Sequence, residues 1–336
     1  MKTISRKRPR RKTTPTLDQA LDRYLTEVSQ TKRSGDAETS LARAWRKTPL
    51  AQRPIGSILN TDLIRMRDDW LTKYKPATVV RRLALISHLY TVARKDWAMP
   101  LLANPAQLVR RPTVQDGRTR RIFTRIMLRG VSVQECPRNE LEWIVQATRS
   151  RELPIIVMLA VETGMRRSEI AGIRRENVDL VHGTIFLSMT KNGESRFVPL
   201  TPLAKHVLRQ YLANKPTRGR IFSISPEAIT RSFIRARRKA RRQYEELCRK
   251  YQRKPREEYF TDLRFHDLRH ESTSVLATVF EMHELAKVTG HKDTRMLLRY
   301  YHPHGRELAK KLTRSNLGKR QLEKLRQERM EEATYA

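Results

Sequence analysis

Between Asn104 and Arg121 the chain cannot continue a helix, and that interruption divides it into two folding problems. Asn104-Pro105 and Arg111-Pro112 each bias the residue before proline toward extended backbone. The following stretch, residues 112–121 (PTVQDGRTRR), is polar, basic and contains a glycine, which marks a linker. With 336 residues in all, either side of the break is long enough to bury a core of its own.

Ahead of the break the apolar period is helical. Leu17, Leu21, Tyr24, Leu25 and Val28 make one face starting near Thr16. Thr61 or Asp62 is placed to cap a second helix carrying Leu63, Met66, Trp70 and Leu71. A third helix spans residues 77–96, with Val80, Leu83, Ile86, Leu89, Tyr90 and Ala93 as its core stripe; Lys75, Arg81, Arg82 and Arg94 lie off that stripe. Beyond the break, residues 140–147 and 154–161 read as helices, and then the period changes. Residues 184–189 and 195–200 read as strands flanking Asn192-Gly193, a hairpin signal. After Leu203 the pattern is helical again. It includes a basic run over residues 231–258 whose inward side is Phe233, Ile234, Tyr244, Leu247 and Tyr251. The expected fold is mainly α with a small β-hairpin, the second domain being α+β. Its parts are a basic arm (residues 1–13), a helical domain with a basic outer face (14–110), a linker (111–122), a second domain (123–316) and a helical tail (317–336) whose weak apolar edge is Leu322, Leu325 and Met330.

Charge narrows the partner. Lys and Arg total 70 against 35 Asp and Glu, a formal charge of +35. Such a surface repels itself, and a polyanion relieves the repulsion while releasing counterions, which favours nucleic acid over a membrane surface. No run of 18 apolar residues is present to span a membrane. The start MKTISRKRPRRK lacks the apolar segment of a secretory signal. Two cysteines, Cys136 and Cys248, are too few for a disulfide framework or a cysteine-built zinc site. The expected setting is a reducing cytoplasm. The residues expected on DNA are Arg81 and Arg82, Arg118, Arg120 and Arg121 of the linker, and Arg238 and Arg242 of the basic run.

Acids are too scattered for two-metal hydrolysis, and no GxxxxGK[ST] loop is present for ATP. Phosphoryl transfer without a cofactor then needs cations, a protein nucleophile and proton donors. Three segments carry that set: Gly164-Met165-Arg166-Arg167-Ser168-Glu169, His266-Asp267-Leu268-Arg269-His270, and Gly290-His291 followed by Tyr300 and His302. Lys191 adds a cation at the hairpin.

These boxes, in this order and spacing, resemble the tyrosine recombinase or phage integrase family. The run GHKDTRMLLRYYH is most similar to plasmid shufflon-type recombinases. The resemblance covers the whole chain, its first helical domain being similar to the family's core-binding (SAM-like) domain. It implies a two-domain clamp on duplex DNA and no metal or other cofactor. It also implies a homotetramer on two recombination sites, exchanging strands through a Holliday junction, with an accessory DNA-bending protein as an open possibility. Arg166 and Arg269 would grip the phosphate, and Tyr300 would attack it to leave a 3′-phosphotyrosine. Lys191 would protonate the leaving 5′-oxygen, His266 would be base or relay, and His291 would donate to a non-bridging oxygen. Glu169 would orient Arg166. On a regular helix through residues 293–301, Tyr300 and its rival Tyr301 would point about 100° apart. Thr289 stands where the family usually has an apolar residue, with an effect expected on packing only. Two other readings share the composition: a non-catalytic architectural DNA-binding protein on the same fold, and a type IB-like topoisomerase.

Overall fold

The computed structural model describes residues 14–32, 35–115, 117–118, 120–128, 130–132, 134–188, 195–298, 300 and 305–335. The basic arm, Lys191, Asn192-Gly193, Tyr301 and His302 lie outside them. The described chain divides between Gly117 and Arg118 into two units, each with its own core.

The first unit is all helical. Thr16 accepts from the Gln19 amide while the Gln19 side chain accepts from the Thr16 amide, so the chain enters α1 (Leu17–Tyr24) with two otherwise unpaired donors satisfied. A π-helical turn, Leu25–Ser29, continues it. Then come α2 (Gly35–Arg46), α3 (Asn60–Lys73) and α4 (Pro76–Lys95). Asp62 acts from inside α3 rather than capping it: its Oδ2 accepts from the Leu59 amide at 2.9 Å. The sequence pattern does not reveal α2, because only Ala42 and Trp45 of its residues are buried. Trp45 meets Trp70 edge-on, their ring centroids 4.6 Å apart.

Arg82 departs from expectation. It is buried, not on the basic outer face, and its guanidinium stacks 4.5 Å from the Trp70 ring and 4.0 Å from the Tyr74 ring. A planar cation over aromatic faces is stabilised where a solvated lysine would not be. Arg81 is exposed.

The second unit packs α5 (Glu140–Ala147), α6 (Leu153–Thr163), α7 (Arg167–Ala171), α8 (Pro202–Leu212), α9 (Pro226–Lys250) and α10 (Phe265–Leu276) around one apolar core beside a three-stranded sheet, with α11 (Met282–Thr289) against α10 and the last strand of that sheet. β2 (Thr184–Leu187) and β3 (Arg196–Pro199) pair antiparallel, with Ile185 opposite Val198 on the buried face. A two-residue strand, β1 (Val178–Asp179), joins β2 and was not legible as a strand. In α9 the buried stripe is Ile229, Phe233, Ala236, Ala240, Tyr244 and Cys248. The alanines let α5 approach closely, and the helix stops at Lys250 instead of running on through the basic segment. The short α12 (Arg295–Leu298), then α13 (Gly305–Arg314) and α14 (Asn316–Tyr335), complete the chain; Leu322, Leu325 and Met330 on α14 are exposed. No described helix is long and apolar enough to cross a membrane.

The arginines expected to line DNA from the linker bond to this unit, Arg118 and Arg120 half-buried and Arg121 exposed. Arg118 donates from Nε and Nη2 to the two oxygens of buried Asp267, both at 2.7 Å. Arg120 donates to Glu140, which is fully buried and also accepts from the amides of Phe123 and Phe260. Arg121 reaches Ser274 Oγ at 2.6 Å. Buried carboxylates must be paired, and these pairs span 20 to 149 residues of sequence, beyond the reach of any local pattern. Residues 118–122 therefore belong to the second unit, not to a linker.

Candidate active site

Two glycines frame the site. Gly164 follows α6 at φ 63° and Gly290 follows α11 at φ 70°, left-handed positions that stop a helix and suit a residue without Cβ. A Cβ on Gly290 would also lie 2.9 Å from Arg196 Nη1. The carbonyls at these two helix ends each receive an arginine. Arg269, on α10, donates from Nη1 to Gly164 O at 2.5 Å and from Nη2 to Thr289 O at 2.7 Å. Arg166, just before α7, donates from Nη2 to Gly290 O at 2.7 Å. Helix C-termini carry partial negative charge and so seat cations. Burial, followed by the charge of Arg166, lowers the Arg269 pKa to about 10, which leaves it a cation at neutral pH.

Glu169 binds two arginines at once. Its Oε2 accepts from the Arg166 amide at 2.7 Å and from Arg196 Nη2 at 2.8 Å; its Oε1 accepts from Arg166 Nη1 at 2.8 Å and Arg196 Nη1 at 3.0 Å. Arg196 starts β3 and also donates from Nε to Val288 O at 2.9 Å. It thereby joins the hairpin, the Arg166 segment and the end of α11. Sequence reasoning passed over Arg196. The one local signal was an arginine opening an otherwise apolar strand.

Burial alone would raise the Glu169 pKa, but the hydrogen bonds and charge of Arg196, then those of Arg166, hold it below the ordinary 4.5. A carboxylate whose pKa falls on folding stabilises the fold above its unfolded value, and that stability disappears as pH drops through the lowered one. Glu169→Ala is expected to destabilise the second unit by about 3–5 kcal/mol near neutral pH, because it strands a buried cation. In urea titrations the gap to wild type should shrink on acidification below the ordinary 4.5. A gap unchanged down to about pH 3 would contradict this account.

His291 has a defined tautomer. Thr289 Oγ1 donates its only proton to Leu285 O at 2.6 Å, so at 2.7 Å from His291 Nδ1 it must accept. These contacts assign the histidine proton to Nδ1, and Nε2 faces Arg269 Nη2 at 3.4 Å. This corrects the expectation for Thr289: its hydroxyl orients His291 and its carbonyl holds Arg269, roles no apolar residue could share in full.

His266, in the first turn of α10, keeps an exposed edge. Desolvation, then the charge of Arg269, lowers its pKa below the ordinary 6.5, which favours the neutral ring. Its ring lies edge-on to His270, centroids 4.9 Å apart. Tyr300 comes after the end of α12, its amide donating to Leu297 O at 2.8 Å, so the expected regular helix through residues 293–301 ends early. The hydroxyl of Tyr300 contacts His270 Nδ1, and the two rings stack at 29° with centroids 5.9 Å apart. Among the described residues Arg166, Arg269, His266, His291 and Tyr300 thus converge. His270 was quoted in its motif but given no role.

Residues 136–307 match the Phage integrase family. A shufflon-specific DNA recombinase of Escherichia coli is 32% identical over 308 residues, covering 88% of this chain and 71% of that protein. The chain belongs to the tyrosine recombinase, or phage integrase, family. A putative integrase/recombinase of Haemophilus influenzae is 28% identical over 297 residues, covering 87% of this chain and 88% of its own length. Among solved structures, the Tn1549 transposon integrase in complex with transposon right end DNA aligns with a TM-score of 0.62 at 16% identity, over 89% of this chain and 99% of that one. A lambda integrase tetramer bound to a Holliday junction aligns with a TM-score of 0.61 at 19% identity, over 88% and 80%. At those identities the likeness is one of fold. This family member is mostly helical with a small sheet, as its relatives' folds are.

Proposed function

We propose that the chain is a site-specific recombinase that cuts and rejoins duplex DNA through a 3′-phosphotyrosine on Tyr300. The observation that carries this reading is the seating of Arg166 and Arg269 on adjoining helix ends with the Tyr300 hydroxyl at His270 Nδ1, one residue along the helix from Arg269. Two planar cations can stabilise the extra negative charge of a pentacoordinate phosphorus, the work that metal ions perform elsewhere. Tyr300 attacks phosphorus, the P–O5′ bond breaks, and the covalent link conserves the energy for religation. Lys191 donates the proton to the leaving 5′-oxygen, and His266 serves as a relay. With Nδ1–H committed to Thr289, His291 can donate to a non-bridging oxygen only from Nε2 as imidazolium. The growing charge of the transition state favours that form. Glu169 fixes the direction of Arg166.

The finer organisation is part of the same reading. The helical unit of residues 14–110 and the catalytic unit each contact DNA, and the basic arm follows phosphates. Four copies assemble on two sites and exchange strands through a Holliday junction, with the tail from residue 317 as the contact between copies. A shufflon-type inversion system fits the most similar of the relatives described, an accessory DNA-bending protein could assist, and the cytoplasm is the setting. Covalent trapping tests the core of this: protein mixed with DNA of its source element and quenched in SDS should carry attached DNA. Tight binding with no attached DNA would favour an architectural protein.

Arg238 and Arg242 are exposed on α9 and line a groove of about 590 Å³ with Arg149, Arg235 and Lys239, but no acid. If they hold phosphates, Arg238→Ala and Arg242→Ala should each reduce the slope of log affinity against log salt by about 1, with little change in sequence preference. An unchanged slope in binding titrations would remove this groove from the DNA interface.

A further inference from the structure

We propose that His270 is the proton acceptor for Tyr300, taking the hydroxyl proton on Nδ1 as the phenolic oxygen attacks phosphorus and returning it on religation. The inference rests on the reading of Tyr300 as nucleophile. Tyrosine is a poor nucleophile while protonated, since its ordinary pKa is about 10. Some group must therefore take its proton, and the first requirement of such a group is hydrogen-bond reach. Of the two histidines in the motif it is His270 whose ring nitrogen touches the Tyr300 hydroxyl.

The placement follows from the helix. His270 comes one residue after Arg269 and one turn after His266, so His266 and His270 share a face while Arg269 is turned inward to the helix-end carbonyls. The backbone at His270 is held from two sides. Its carbonyl accepts from Ser274 Oγ at 3.1 Å and from Arg121 Nη1 at 3.3 Å. Arg121, itself exposed, thus supports the nucleophile's partner through that carbonyl. The stacked arrangement of the rings keeps the phenolic O–H at Nδ1 and leaves the oxygen's lone pairs for phosphorus. Before attack the phenol donates to Nδ1, so the ring's own proton is on Nε2. The neutral form favoured for His266, edge-on beside it, spares the forming imidazolium a like charge. Arg269 does oppose that charge, and the arriving phosphate offsets it.

The step balances without a co-reactant. The Oη–P bond forms and the P–O5′ bond breaks. The phenolic proton ends on His270 Nδ1, and the 5′-oxygen takes a proton from the acid of the site. In religation the 5′-hydroxyl attacks and returns its proton to that acid, and the departing phenolate recovers its proton from the imidazolium. His266 is then released from the role of base and is left to the phosphate oxygens.

The test uses the full chain and a nicked duplex recovered by SDS-resistant capture from a random-sequence library. Under single turnover, His270→Ala should form the covalent adduct about 10²- to 10³-fold more slowly with duplex affinity retained, and added imidazole should restore at least about tenfold of that loss. His270→Asn can accept a hydrogen bond at the same place but cannot hold a proton at neutral pH, so it should be as slow as the alanine variant. Wild-type speed in His270→Asn, or a His270→Ala rate within about threefold of wild type, would overturn the proposal. Tyr300→Phe run alongside separates the two readings. If it abolishes the adduct while the His270 variants stay fast, only this proposal falls. If it leaves the adduct intact, the nucleophile has been misassigned and both fall.

Discussion

Tyr300→Phe should abolish SDS-resistant attachment of DNA while leaving duplex binding within about twofold, because the substitution removes one oxygen and no charge. The expected loss exceeds the about 10²- to 10⁴-fold typical of removing a proton-transfer group, since no other group can form the same bond. Folding should be little affected: the hydroxyl meets His270 in the site rather than in the apolar core, and the amide bond to Leu297 that shapes the turn is retained. Tyr301→Phe, the neighbouring phenol, should retain the adduct. An adduct that persists in Tyr300→Phe and vanishes in Tyr301→Phe would move the nucleophile by one residue.

Arg269→Lys is the second large effect, and it measures geometry rather than charge. The guanidinium spans two carbonyls, Gly164 O and Thr289 O, from different helix ends and still points toward His291 Nε2. An ammonium is a point donor on a flexible stem and cannot hold both carbonyls while serving a phosphate. The cleavage rate should fall about 10²- to 10³-fold, the size found when one donor to a developing oxyanion is lost. Arg269→Ala should cost about 10³- to 10⁵-fold, comparable to loss of an arginine that stabilises a phosphoryl-transfer transition state. It should also destabilise the fold by about 1–3 kcal/mol for each buried carbonyl left without a donor. Measuring single-turnover cleavage and urea unfolding on the same variants separates the effects: the lysine variant should lose more rate than stability. A lysine variant cleaving at wild-type rate would show that charge alone suffices at this position.

Much of the site was legible because its residues fall in short boxes whose spacing is set by local geometry. Gly164 ends a helix and Arg166 and Glu169 begin the next, so the segment reads as one unit. Gly290 does the same for His291. Periodicity likewise placed α4 and the hairpin strands, since Leu83, Ile86, Leu89 and Tyr90 are all buried and Ile185 and Val198 face the core. The failures have a common cause. Arg82, Arg118 and Arg120 look like surface cations in a chain with a charge of +35, yet Arg82 is directed inward by the rings of Trp70 and Tyr74 on the preceding helix and its end, and Arg118 and Arg120 by carboxylates 149 and 20 residues away. Helix α2 was missed because two buried residues in twelve leave almost no apolar period.

The sequence by itself determined the class of chemistry, the division into two units and the order of the functional boxes, because each depends on composition or on neighbours within a few residues. Only the tertiary structure decided which basic residues are structural, how Arg196 and Glu169 fix the arginine of the first box, why Thr289 matters to His291, and which histidine meets Tyr300. Apart from the two-residue link of Thr289 to His291 and the three-residue link of Arg166 to Glu169, those outcomes depend on pairing buried charges and on hydrogen-bond reach across 20 to 149 residues of chain. No local pattern encodes them.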